Sequence, residues 1–319
     1  MQKTTRSLVI GGAGFIGSHL VERLIERGPV TVLDDLSVGR RDFLAAPMGA
    51  GKVELVVADA RDLAAVRRAA EGHDLVVHLA ANPEARWGLD NTRLDLELGT
   101  ITTYNALEAA RLSGASQFLF SSSGTVYGEV SAACAEADLG SLPISLYGAS
   151  KLASEAMISA FSECFGLRAT ILRFGNVVGP RGTHGAALDF LRKLQRTPHE
   201  LEVLGDGSQA KPYLHVDDCV EGMLFALSQQ VKRFDVWNLA PADTTSVAHI
   251  AARCIQSSPH KQATIRYTGG DRGWAGDVPR SRMNPEKLAA LGFRVRHSSD
   301  QAVELAVLAL AREVFGVAP

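Results

Sequence analysis

Ser7-Leu8-Val9-Ile10-Gly11-Gly12-Ala13-Gly14-Phe15-Ile16-Gly17-Ser18-His19-Leu20 is the stretch that decides the fold. A short apolar run reads as a buried strand, and GxxGxxG then turns the chain directly into a helix. Glycine permits the positive φ and close backbone approach that such a turn needs. The helix N-terminus offers unpaired N–H groups and a partial positive charge to a phosphate. The motif therefore predicts a dinucleotide whose diphosphate lies against Gly11, Gly14, Phe15, Ile16 and Gly17. Glycine triplets also serve tight turns for purely steric reasons, so the flanking chain must decide.

About twenty residues on, the next strand ends in Leu33-Asp34-Asp35, where a carboxylate accepts hydrogen bonds from a ribose. An acid at Asp34 or Asp35 repels a 2′-phosphate, which favours NAD over NADP, while Arg40 and Arg41 nearby argue the other way. Asp59, closing Val57-Ala58-Asp59, either meets the adenine amino group or begins the turn before Leu63.

Working outward, short apolar runs alternate with amphipathic segments of helical length. Strands are predicted at Ser7–Ile10, Val30–Leu33, Val53–Val57, Leu75–Leu79, Gln117–Ser121 and Ala169–Arg173. Their scarcity of polar alternation suits parallel strands buried on both faces. Helices are predicted at Phe15–Arg27, Leu63–Glu71, Thr92–Ser113 and Tyr147–Phe165. A βαβα rhythm implies an α/β, Rossmann-type doubly wound parallel sheet with right-handed crossovers. After Pro180 the rhythm loosens into Gly- and Pro-rich loops separated by helices such as Val216–Gln229 and Val247–Ser257. The expected organisation is a dinucleotide-binding domain over 1–180 and a small C-terminal substrate-binding lobe over 181–319. The two are interleaved, and segments such as Val236–Leu239 return to the sheet.

Composition excludes several classes of function. The 319 residues are 46% hydrophobic and 21% charged, ordinary values for a globular chain. A net charge of −2 gives no electrostatic argument for nucleic acid or an anionic membrane. Cys134, Cys164, Cys219 and Cys254 are too dispersed for zinc spacing, and the nine histidines form no HxxxH or HExxH, so no metal site is expected. The apolar run near the start is too short for a signal or a membrane span, which makes the cytoplasm the expected compartment.

Tyr147-Gly148-Ala149-Ser150-Lys151 sets a phenol and an ammonium at i and i+4, on one face of a helix start. A phenol titrates near pH 10 and is a poor base at neutrality. A lysine cation beside it, helped by nicotinamide charge, is expected to stabilise phenolate and pull that value down. YxxxK alone usually marks surface residues, and the upstream glycine turn is what gives it weight. Ser121-Ser122-Ser123 ends a predicted strand, where ligands bind in such sheets. Spacing does not say which serine matters.

Taken together, GGAGFIGSHL, DDLSVGRR, HLAA, SSSGTVYG, YGASK, RFGNVVGP and GDGSQAKPYLHVDD resemble the extended short-chain dehydrogenase/reductase family. Within it, the match is to the UDP-glucose 4-epimerase-like sugar-nucleotide enzymes, in order from residue 11 to 218, and GDVP at 276–279 extends it. The resemblance implies that Ser123 is the catalytic hydroxyl, Tyr147 the base and Lys151 its partner. Leu79, Ala80 and Ala81 of HLAA would add cofactor contacts, and Asn176 a contact to the nucleotide diphosphate. It also implies a homodimer formed through the helices Thr92–Ser113 and Tyr147–Phe165.

The implied reaction withdraws hydride from the sugar C4 to NAD as Tyr147 takes the 4-hydroxyl proton. The 4-keto sugar then turns and receives hydride on its other face. Similar dehydratases carry Asp-Glu directly after the Ser/Thr, and decarboxylases a glutamate at the second position; Gly124 and Thr125 stand there. Departures cluster elsewhere. NxxGT becomes Gly99-Thr100-Ile101-Thr102-Thr103, Lys211-Pro212 replaces Arg-Asp, and Trp274 replaces an arginine, with Arg272 two residues earlier. Lys211 and Arg272 are the expected phosphate contacts. Arg86 and Trp87 either line the sugar side or are ordinary loop residues. The leading expectation is an NAD-dependent sugar-nucleotide 4-epimerase, of UDP-glucose/UDP-galactose or UDP-glucuronate type. Alternatives are a sugar-nucleotide oxidoreductase, an epimerase at another carbon, and a non-catalytic NAD-binding regulator.

Overall fold

A computed structural model describes residues 5–138, 141–230 and 232–316. Its main sheet has seven strands: β1 (Ser7–Ile10), β2 (Val30–Asp34), β3 (Val53–Val57), β4 (Leu75–His78), β5 (Gln117–Ser123), β6 (Arg168–Phe174) and β7 (Phe234–Leu239). They lie in the order β7-β6-β5-β4-β1-β2-β3. β1 pairs parallel with both β2 and β4, matching Ile10 to Leu33 on one side and to His78 on the other. The strand order reverses between β1 and β4, the switch point where open α/β sheets bind ligands beyond their strand C-termini.

β1, β2 and β4 are buried throughout. β3 departs from the expected burial on both faces: it is the sheet edge, and Val57 is 53% exposed. Helix α1 (Phe15–Leu24) follows the glycine turn. Helix α2 (Leu63–Ala70) starts where the Asp62 carboxylate accepts from the N–H groups of Ala64 and Ala65. Helix α3 (Thr102–Ser113) stops at Gly114, whose φ of 72° is left-handed. Helix α4 (Leu146–Phe165) carries the predicted catalytic pair.

One helix was expected over Thr92–Ser113, but Leu96–Ile101 is a π-helical turn leading into α3. Thr102 Oγ1 donates to Leu98 O and Thr103 Oγ1 to Gly99 O, both at 2.7 Å. These back-bonds compete with the regular ladder and open it locally.

Two compact units emerge. The first comprises Met1–Ser123, Leu146–Arg173 and Met223–Trp237. Its core joins Leu8, Ile10, Leu33, Val76, Phe118, Phe120 and Ile171 of the sheet to Val66, Leu107 and Ile158 of α2, α3 and α4. The second comprises Gly124–Ser145, Phe174–Gly222 and Asn238–Pro319. Its core gathers helices Ala186–Arg196, Val247–Gln256 and Ser299–Phe315 around Leu201, Val203 and Tyr213. Ser298 and Gln301 close a capping box on the last of these helices.

Candidate active site

The glycine turn sits at the switch point. Gly11 N donates to Leu33 O at 2.8 Å, while Leu79 N and Ala80 N both donate to Ile10 O, at 2.9 and 3.1 Å. A Cβ on Gly11 would stand 2.6 Å from Ala80 N, and one on Gly17 would stand 2.2 Å from Gly11 O. The backbones of the glycine turn and of HLAA thus approach closely because these positions lack side chains. Gly14 is the N-cap of α1, with no side-chain cap and no acid in the first turn. The helix therefore presents its amide dipole without a competing protein anion.

Asp34, at the end of β2, is buried beside this turn. Its Oδ2 accepts from Ala13 N and its Oδ1 from Leu36 N, both at 2.9 Å. Burial raises its carboxyl above the ordinary range, and the two backbone bonds partly offset that rise. Each oxygen keeps acceptor capacity for a ribose hydroxyl. An uncapped helix start, a side-chain-free turn and a buried acid one strand away fit a dinucleotide. Asp35 turns instead toward Ser37, accepting from its N and Oγ. Asp59 is clamped by Arg61, whose guanidinium and N–H both donate to it, so its carboxyl lies below the usual range.

The first turn of α4 carries Tyr147 half-buried and Lys151 buried. Lys151 Nζ donates to Ser121 O at 2.7 Å and lies 4.7 Å from the Phe120 ring centroid and 5.6 Å from that of Tyr147. Burial lowers the ammonium to about 8, although Glu155 and Asp95 oppose the shift. Burial also pushes the Tyr147 phenol up to about 12, with the Asp95 charge adding to it. In the protein by itself burial thus works against the lowering expected from the lysine cation and the nicotinamide charge.

The three serines at the end of β5 separate by environment. Ser121 Oγ donates to His78 O at 3.3 Å, and Ser122 Oγ to Glu155 Oε1 at 2.5 Å. Ser123 is half-buried as the last residue of the strand. Glu155 also takes Arg173 in a buried bidentate pair. Its spacing from Lys151 repeats the i, i+4 rule that singled out Tyr147, a signal left unused in the sequence. Asp95, Asn82 and His78 carried no such signal. Asn82 Nδ2 donates to Asp95 Oδ1 at 3.0 Å, and fully buried His78 is lowered to about 3 by desolvation, then by Lys151. Arg86 folds onto Glu84 through Nε and Nη2, at 3.1 and 3.0 Å.

The remaining predicted residues belong to the second unit. Lys211 Nζ meets Asp277 Oδ1 at 2.5 Å, and Arg272 Nη1 reaches Asp277 O at 3.4 Å. Arg272 also pairs with Glu129 at 3.2 Å. Asn176 hydrogen-bonds the side chain of Tyr213, a phenol that burial pushes up to about 12 despite that bond. The parallel pairing of Asn176–Val178 with Tyr213–His215 sets the two side by side. Lys211 and Arg272, distant in sequence, thus both meet Asp277, the lysine at its carboxylate and the arginine at its backbone carbonyl. Among the described residues no group of His, Cys, Asp or Glu could hold a metal ion, and no helix is long and apolar enough to cross a membrane.

Comparison with known proteins matches this arrangement. The model of the NAD dependent epimerase/dehydratase family matches residues 7–240. A UDP-glucose 4-epimerase of Mycolicibacterium smegmatis is 35% identical over 227 residues, covering 69% of this chain and 72% of the relative. A crystal structure of a UDP-galactose 4-epimerase superposes with a TM-score of 0.86 at 37% identity, covering 97% of this chain and 99% of the other. The Thermus thermophilus UDP-glucose 4-epimerase in complex with NAD gives 0.83 at 31% identity, covering 96% and 98%. Similar proteins also include a UDP-N-acetyl-alpha-D-glucosaminuronate decarboxylase of Bacillus cytotoxicus, 31% identical over 273 residues, 82% of each chain. The protein is a member of the NAD-dependent epimerase/dehydratase family, with a Rossmann-like fold and NAD as its cofactor.

Proposed function

We propose that the protein is a sugar-nucleotide 4-epimerase, acting on a UDP-linked sugar of the glucose/galactose or glucuronate type. The observation that carries this reading is the Tyr147–Lys151 pair on α4 with no acid at Gly124 or Thr125. A Cβ on Gly124 would stand 2.8 Å from Met283 Sδ, so a dehydratase-type aspartate there would have to displace that side chain. Without a second acid and base, water loss lacks its proton carriers, whereas epimerisation needs one group that takes a proton and returns it.

Gly11, Gly14, Phe15, Ile16 and Gly17 would seat the NAD diphosphate, Asp34 a ribose, and Leu79, Ala80 and Ala81 the strand-end wall. Bound there, NAD supplies a reversible hydride acceptor for the sugar C4. Tyr147 Oη takes the proton of the sugar 4-hydroxyl and later gives it back, with Ser123 Oγ in the hydrogen-bond path. Lys151, fixed on Ser121 O, supplies the cation that favours phenolate. Asn176, Lys211 and Arg272 would meet the nucleotide diphosphate, and Arg86 the sugar side. Tyr104 and Leu112 of α3 and Phe165 of α4 are exposed apolar side chains, and they support a homodimer through these helices.

The test is to incubate the protein with UDP-, dTDP-, GDP- and CDP-sugars and follow the anomeric protons by NMR. Interconversion of 4-epimers without net NADH release is expected. Steady NADH release would mark an oxidoreductase instead, and a product inverted at another carbon would overturn the C4 assignment.

A further inference from the structure

We propose that Asp95 is the counter-charge of the Tyr147–Lys151 pair, a positioning residue whose negative charge sets the pH range over which the pair works. The proposal rests on Tyr147 being the base. Asp95 is only 2% exposed and its Oδ1 takes a single hydrogen bond, from Asn82. Its Oδ2 has no partner among the described residues. A buried carboxylate so sparsely satisfied is costly unless nearby charge compensates it, and no described arginine or lysine forms an ion pair with it. Burial raises its carboxyl above the ordinary range, and the Asn82 bond and the Lys151 cation oppose that rise.

The surroundings hold this carboxylate in place. Asn82 is itself locked, donating to Glu84 O and accepting from Glu84 N, at 3.0 and 3.2 Å. Gly88 sits between the open oxygen and the start of α4: a Cβ there would lie 2.5 Å from Asp95 Oδ2 and 3.6 Å from Leu146 Cβ, the residue before Tyr147. The π-helical turn that follows Asp95 abuts the start of α4, where a Cβ on Gly99 would meet Ser150 Oγ at 2.6 Å. One segment therefore carries Asp95 and packs against the helix of Tyr147 and Lys151.

Other groups near the pair are already committed. Glu155 on α4 also favours the Lys151 ammonium, but it is held by Arg173 of β6 and Ser122 of β5 and does not act on the Tyr147 phenol as Asp95 does. His78 on β4 is neutral. Asp95 is the buried carboxylate that remains uncommitted, and its charge raises both the phenol and the ammonium. Removing it should lower both titrations and move the activity profile toward lower pH.

The experiment is a tyrosinate absorbance titration of the purified protein, which needs no turnover. The difference between parent and Tyr147→Phe isolates the Tyr147 curve, and the same subtraction is made in Asp95→Asn, Asp95→Ser and Asp95→Glu backgrounds. Both neutral variants should move the Tyr147 midpoint to lower pH, while Asp95→Glu stays near the parent. UDP-galactose turnover profiles should shift in the same direction. Superimposable Tyr147 curves in either folded neutral variant would overturn the proposal. Retained sugar-nucleotide turnover in Tyr147→Phe would instead remove Tyr147 as the base, a distinct failure.

Discussion

Arg173 grips Glu155 through two parallel hydrogen bonds, Nε to Oε1 at 2.9 Å and Nη2 to Oε2 at 2.7 Å, with both side chains almost wholly buried. Ser122 Oγ completes the cluster on Oε1. Glu155 lies one turn beyond Lys151 on α4, and Ser122 directly precedes Ser123 on β5. The cluster therefore pins the strand end that presents the serine to the helix that presents the tyrosine and lysine.

Removing one partner strands the other. Glu155→Gln should cost about 3–5 kcal/mol in denaturant unfolding, because the Arg173 guanidinium is left buried without its counter-ion. Replacing both, as Glu155→Leu with Arg173→Met, should recover most of that loss. A single-variant cost below about 1 kcal/mol would mean that water reaches the pair.

Tyr147→Phe removes the hydroxyl and leaves the ring packed. Turnover should fall by about 10²–10⁴-fold, the usual contribution of a positioned proton carrier. NAD retained per protein, measured after denaturation, should not change. A parallel loss of NAD would show that the hydroxyl serves binding as well as proton transfer.

Most of the sheet was legible because its signals are local. β1 and β3 lie where their apolar runs begin and end, and the turn chemistry of Gly11 to Gly17 is steric, so it survives any tertiary context. Lys211 and Arg272 were legible as phosphate candidates, but their convergence on Asp277 depends on chain return and has no local signature. Asp95 was invisible for a different reason. It lies in a segment with ordinary helical periodicity, and its importance comes from burial and from the π-helical turn that Thr102 and Thr103 open. The upward push of burial on the Tyr147 phenol was hidden on the same ground, since i, i+4 spacing reports a neighbouring charge and not the burial of the groups.

The cofactor turn can be tested without chemistry. In Gly17→Ala the new Cβ would stand 2.2 Å from Gly11 O, a backbone atom that moves only with the turn itself. The variant should release most of its NAD on gel filtration, or fold only with a displaced turn. Gly49→Ala is the control, because a Cβ there meets nothing within 4 Å. Equal NAD retention in both variants would detach the glycine turn from cofactor binding.

In the second unit, acid stability should depend on Asp218. This carboxylate is 1% exposed, and it accepts from the N–H groups of Arg296 and His297, from Arg296 Nε and from His297 Nδ1. Burial alone would raise its carboxyl, but these bonds outweigh burial and hold it below the ordinary range. A depressed folded value means stability that is complete above the unfolded carboxylate range, near pH 4, and lost as pH falls through the folded value. The exposed Arg296 side chain is screened, so the backbone donors and His297 should carry most of the effect. Asp218→Asn should therefore destabilise the protein by about 1.5–3 kcal/mol at neutral pH. The gap between variant and parent should close on acidification, as the parent carboxyl takes up its proton. A gap that stays constant from neutral to acid pH would mean that Asp218 acts through shape and not through charge.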